Sequence, residues 1–128
     1  MKTKFDIEYP ITASPQLLYQ YISTPSGLTE WFADNVNSRG EFFTFIWGDS
    51  EEKAKLVTKK TDEKVKFRWL EEDEVETDYF FELRIVLDEL TKDVTLMVTD
   101  FAEDSEIKDQ TQLWDNQIAD LKKVLGSA

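Results

Sequence analysis

The chain has 128 residues, of which 41% are hydrophobic and 33% charged, with nine Phe, four Trp and four Tyr and a formal net charge of −12; that length suits one domain (1–128) with one core, and so many aromatics exclude a disordered chain. The acidity argues against nucleic acid and anionic membrane surfaces as partners, because both need clustered positive charge. With no Cys and no His, disulfides, zinc–thiolate sites, cysteine nucleophiles, Ser-His-Asp triads and imidazole acid–base chemistry are all excluded.

The first segment alternates: Thr3, Phe5, Ile7 and Tyr9 against Lys4, Asp6 and Glu8. That is the period-two signature of a half-buried strand, expected to end at Pro10. Its charged alternation contains no apolar signal region, and no stretch of the chain approaches 18 apolar residues, so membrane insertion is not expected and a cytoplasmic location follows by default. Ser14-Pro15 and Thr24-Pro25 are two helix starts, each a capping hydroxyl followed by a proline whose missing N–H costs nothing in a first turn. Leu17, Leu18, Tyr21 and Ile22 share one face of the first helix. Leu28, Trp31 and Phe32 share a face of the second, at i, i+3, i+4 spacing.

From Glu41 onward the period is two for some sixty residues. The inward sets are Phe43, Phe45 and Trp47; Ala54, Leu56 and Thr58; Val65, Phe67 and Trp69; Tyr79, Phe81, Leu83, Ile85 and Leu87; and Val94, Leu96 and Val98. Short polar turns separate them, which implies sequential antiparallel pairing with one face covered. The acidic run Glu71-Glu72-Asp73-Glu74-x-Glu76 reads as a solvated, extended turn; it lacks the spacing of a calcium loop. The period then changes. Ile107, Thr111, Trp114, Ile118, Leu121 and Leu125 form one helical stripe, with Asp104 or Ser105 as its cap and Gly126 as its end. The helix has a stripe to bury and the sheet has a face to cover. The expected fold is therefore α+β of the helix-grip type: a six- to seven-stranded bent antiparallel sheet, two short helices after strand 1, and one long C-terminal helix packed in its concave face.

Four features carry a family resemblance: Trp31-Phe32 after the short helices, Gly40 leading into Phe43-x-Phe45-x-Trp47, Val65-x-Phe67-x-Trp69, and Trp114-x-x-x-Ile118-x-x-Leu121-x-x-x-Leu125. Together they resemble the START-like (SRPBCC, Bet v 1-like) superfamily, near the branch named after the activator of the Hsp90 ATPase. The chain departs from that pattern where Arg39-Gly40 replaces a glycine pair and Asp49-Ser50-Glu51-Glu52 fills a glycine-containing turn. The resemblance implies a hydrophobic cavity between sheet and long helix, which in relatives holds lipids, sterols, polyketides or other aromatic molecules. It places Trp31-Phe32 at the cavity mouth.

The candidate ligand-binding residues are Trp31, Phe32, Phe43, Phe45, Trp47, Phe67, Trp69, Tyr79, Phe81, Trp114 and Ile118. Two outcomes stand open for them: an aromatic-lined pocket, or a core filled by its own rings, each burying about 150–250 Å². Thr58 and Thr111 are the polar residues placed on the inner face. No catalytic residue, metal ligand or cofactor is identified, because no carboxylate pair stands at a defensible buried position. Phe42, Ile46, Val57, Phe80 and Val86 fall on the outer face by parity and, if contiguous, offer a homodimer surface. The expected function is non-enzymatic binding of a small hydrophobic or lipid-like ligand. The alternatives are a protein-interaction or co-chaperone-like module and, third, a cyclase or hydrolase drawing on Tyr79 and carboxylates.

Overall fold

The computed structural model describes residues 1–126. Its elements run β1 (Lys2–Ile11), α1 (Pro15–Ser23), α2 (Pro25–Thr29), β2 (Asn35–Arg39), β3 (Phe42–Trp47), β4 (Ser50–Lys60), β5 (Lys64–Leu70), β6 (Glu76–Leu87), β7 (Val94–Glu103), a 3₁₀ turn (Asp104–Glu106) and α3 (Ile107–Val124). The strands form one seven-stranded antiparallel sheet in the order β1-β7-β6-β5-β4-β3-β2. Helix α1 packs over β5 and β6, α2 against β2, and α3 against β1 and β7. This is the helix-grip architecture read from the sequence.

Both proline starts are built as expected. The Ser14 hydroxyl accepts the Leu17 N–H at 3.1 Å, and the Thr24 hydroxyl accepts the Gly27 N–H at 2.9 Å. Gly27 also lets the two helices meet: a Cβ there would stand 2.2 Å from the Gln20 carbonyl oxygen and 2.6 Å from the Tyr21 Cα. The buried face of α1 is Leu18, Tyr19 and Ile22, whereas Leu17 is exposed.

Five local readings need correction. Pro10 does not end β1, which continues to Ile11; β1 is an edge strand, where a residue without an N–H is tolerated. Strand β2 was not expected, because Asn35-Val36-Asn37-Ser38-Arg39 offers one apolar side chain; it forms as a short edge paired to β3. In β4, Leu56 pairs with Phe67 but Thr58 pairs with Lys66, so Val57 is a bulge. The extra residue inverts the parity and turns Thr58 to the outer face. The turn at Glu71–Glu76 is closed rather than extended, with Glu74 N–H on the Glu71 carbonyl and Glu71 N–H on the Val75 carbonyl, each at 2.9 Å. Its carboxylates reach back to cations of β4 and β5, Glu74 to Lys53 at 3.9 Å and Glu76 to Arg68 at 3.8 Å. Finally, neither Asp104 nor Ser105 caps α3; Glu106 precedes it with no side-chain cap, and Asp104 instead accepts the Thr3 hydroxyl at 2.5 Å.

A second irregularity shapes one end of the molecule. The β6–β7 pairing runs only from Glu82↔Thr99 to Leu87↔Val94. Beyond it, Glu76, Phe80 and Phe81 of β6 pair with β5 alone, and residues 100–103 of β7 pair with β1 alone. The two strands diverge, and the sheet opens as a wedge.

Candidate functional site

The aromatic interior is closed. Phe45, Phe67 and Phe81 are at most 1% exposed. Phe81 sits 5.0 Å from Phe67, 5.1 Å from Phe32, 5.2 Å from Trp69 and 6.1 Å from Trp114, ring centre to ring centre. Phe43 packs on Phe67 at 5.0 Å. These are the spacings of a packed aromatic core.

Phe32 is the joint between the layers. Its ring touches Phe45, Phe81 and Trp114. Its carbonyl accepts the Trp47 indole N–H and the Gln117 amide, both at 2.8 Å. The turn after α2, the end of β3 and the middle of α3 thus meet at one oxygen. Trp31 is buried beside it and donates its indole N–H to the Tyr21 carbonyl at 2.8 Å.

Open space begins at the edge of this core. Two adjoining hollows, of about 460 and 360 Å³, share Trp47, Trp69, Asp100 and Gln110 as walls. The larger lies along α3 and adds Phe32, Trp114 and Leu113. The smaller occupies the wedge between β6 and β7 and adds Tyr79, Phe101, Glu52 and Lys2. A further hollow of about 660 Å³ lies apart from α3, at the β2–β3 hairpin around Phe43. Of the eleven candidate residues, Phe32, Trp47, Trp69, Tyr79 and Trp114 border the groove under α3. Phe43, Phe45, Phe67, Phe81, Trp31 and Ile118 lie in the packed interior, Phe43 also bordering the hairpin hollow.

The wedge follows from local sequence. Arg68 pairs with Phe80, but Leu70 pairs with Glu76, so β6 carries extra residues opposite Trp69. The Thr77 hydroxyl repairs the interrupted ladder, donating to the Trp69 carbonyl at 2.9 Å and accepting the Tyr79 N–H at 3.1 Å. Tyr79 is thereby brought against Phe101, 5.4 Å away across the wedge.

Asp100 is, with Gln110, one of the two polar residues that both hollows share, and sequence reasoning left it undefined. It continues the inward series Val94, Leu96, Val98, and extending that alternation by one step would have found it. Its carboxylate accepts the Trp114 indole N–H at 2.8 Å and the Phe101 N–H at 2.8 Å. Burial pushes its pKa above the ordinary carboxylate value, while those two hydrogen bonds and the nearby Lys2 charge pull in the opposite direction. Gln110 and Gln117 were also missed; they stand four residues before and three after Trp114, hence on its side of the helix. Tyr9 ties α3 to β1, donating its hydroxyl to Asp115 at 2.7 Å. Burial, with that carboxylate as acceptor, pushes its pKa far up.

A family model for the START-like superfamily domain matches residues 1–127. The chain belongs to the START-like superfamily. Among solved structures, this START-like chain is 39% identical to a protein of Bacteroides fragilis, covering 96% of this chain and 90% of that one, with a TM-score of 0.66. The Aha1 dimer from Colwellia psychrerythraea has the same fold at 17% identity, covering 96% of both chains with a TM-score of 0.77. DynU16, from the dynemicin biosynthetic locus, shares the fold at 15% identity and a TM-score of 0.78; the alignment covers 96% of this chain and 47% of that one. No protein of curated function matches the sequence. Among the described residues, no helix is long and apolar enough to cross a membrane.

On the outer face, Phe42 and Phe80 lie in one cross-strand row but are separated by Lys55 and Arg68. The Lys66 ammonium covers the Phe80 ring at 4.0 Å. Cations therefore divide Phe42 from Phe80, and Phe80 packs instead on Phe101, 4.9 Å away.

Proposed function

We propose that this START-like chain binds a small, flat, apolar molecule in the groove between α3 and the open end of the sheet, and carries no reaction out on it. One observation carries the reading: the groove is floored by Phe32, Trp47, Trp69, Trp114 and Leu113, and Asp100, Gln110, Asn116, Gln117 and Asp120 are its polar groups. An aromatic floor flanked by polar groups that can orient a ligand, at a volume within about 300–1,000 Å³, is the make-up of a small-molecule site. The filled interior supports a ligand that lies along α3 rather than one swallowed between helix and sheet.

Leu113 supplies the test, because it is 57% exposed and its replacement spares the core. Fluorescence titration with neutral N-phenylnaphthylamine is expected to show saturable binding that Leu113→Arg abolishes. Binding unchanged in Leu113→Arg defeats the assignment of the groove. A lipid and aromatic panel that leaves no species bound in native mass spectrometry, and no thermal shift, defeats the function. A second reading rests on the outer face, where Phe42 and Val86 are each 43% exposed and a relative of the same fold was solved as a dimer. Sedimentation showing a monomer at high protein concentration removes it.

A further inference from the structure

Taking that groove as the binding site, we infer that its ligand carries a positively charged nitrogen, held at the wedge between β6 and β7. Three observations converge there.

The first is charge. Glu52 stands opposite Phe45 in the β3–β4 register and so shares the inner face; with Asp100 it gives the smaller hollow two carboxylates, and Asp120 adds a third at the far wall of the larger one. Lys2 is the cation among the groove residues, in a chain of net charge −12. A ligand carboxylate would enter against that field, whereas an amine would be drawn in.

The second is the surface on which the charge is set. Trp47, Trp69, Tyr79 and Phe101 border the same hollow. Aromatic faces backed by carboxylates are the combination that recognises ammonium groups, through the negative face of the ring and a nearby counter-charge.

The third is that an ammonium is already there. The Lys2 side chain places its Nζ 4.8 Å from the centre of the Tyr79 ring, near enough to Asp100 for its charge to lower that carboxylate's pKa. Lys2 lies on an edge strand, at the start of the ladder, and is itself exposed. It is a tethered occupant that a free amine can replace at little cost to the fold.

The test compares three probes with one ring system: naphthylethylamine, naphthylacetate and ethylnaphthalene, titrated into the full chain and read by the NMR shifts of the indole N–H signals. The amine is expected to bind about tenfold more tightly than the neutral probe, the scale of a desolvated cation–π contact with a counter-ion. Asp100→Asn, which removes the counter-charge, is expected to erase that preference, so that the amine and ethylnaphthalene bind alike. Lys2→Met, by removing the internal competitor, is expected to tighten the amine alone. If ethylnaphthalene or naphthylacetate binds as tightly as the amine, or Asp100→Asn keeps the preference, the inference is overturned and apolar binding in the groove stands. If none of the three moves the indole signals, both readings fall together.

Discussion

Phe81→Ala tests whether the aromatic interior is as full as its distances say. Phe81 is 1% exposed and contacts Phe32, Phe45, Phe67, Trp69 and Trp114. Those five rings stand on β3, β5, α3 and the turn after α2, so no single element can move inward to fill the space. Truncation of a buried Phe with little relaxation costs about 3–5 kcal/mol. For a chain of 128 residues, a loss of about 4 kcal/mol lowers the melting temperature by about 15 °C. Urea denaturation followed by tryptophan fluorescence measures the change, and an unaltered m-value shows that the fold is kept. The space left is apolar and should stay dry, so benzene should restore part of the lost stability. A loss below about 1.5 kcal/mol, the range of a substitution that the core absorbs, would refute the packed interior. The sequence-level alternative of an enclosed, aromatic-lined cavity would then return.

Gly27→Ala should destabilise by several kcal/mol, far beyond the gain of about 1 kcal/mol that helix propensity alone gives alanine, since the new Cβ meets backbone of α1 at 2.2 Å; a thermal melt no lower than wild type would contradict the tight α1–α2 approach. Asp100 has a raised pKa in the folded chain, so it favours folding while protonated and loses that contribution as pH rises through the folded value. Asp100→Asn should therefore gain on wild type as pH rises above the ordinary Asp value of about 4, and a stability difference that does not change with pH would show the carboxylate to be well solvated. Tyr19→Phe should be neutral or stabilising by up to about 1 kcal/mol, because among the described residues the buried Tyr19 hydroxyl has the Ser23 and Thr61 side chains nearby but no hydrogen bond of good geometry; a clear loss in the same denaturation assay would show it bonded to Ser23, Thr61 or a bound water.

Much of the fold is legible in the sequence because its signals are local. Two capping hydroxyls before two prolines place α1 and α2, and strict alternation places β3 through β7. What was not legible is non-local. Strand β2 exists because Val36 fills a place beside α2 and β3 completes its hydrogen bonds, not because its own residues prefer a strand. The bulge at Val57 leaves the residue pattern looking regular while reversing its sense, which is why Thr58 was placed on the wrong face. The groove was legible in its aromatic residues but not in its position. Alternation tells which face a ring occupies; it does not tell that Phe45, Phe67 and Phe81 would close on one another and leave the space beside Trp47 and Trp69. The wedge depends on where the β6–β7 ladder stops, and no single-strand pattern records that.

The pairing of β1 with β7 also governs how the chain can be made. Lys2 must find Glu103, and Ile11 must find Val94, so the first strand waits for almost the last. At about 5–20 residues per second, a ribosome takes about 5–20 seconds to deliver that partner. Through this interval Phe5, Ile7 and Tyr9 have no ladder to join, and the stripe of α3 that will cover the concave face does not yet exist. Charged residues interleaved with the apolar ones along β1 suit a segment that must stay soluble while it waits. Closure of the ladder is then a late event, and one whose rate is set by the long loop it completes.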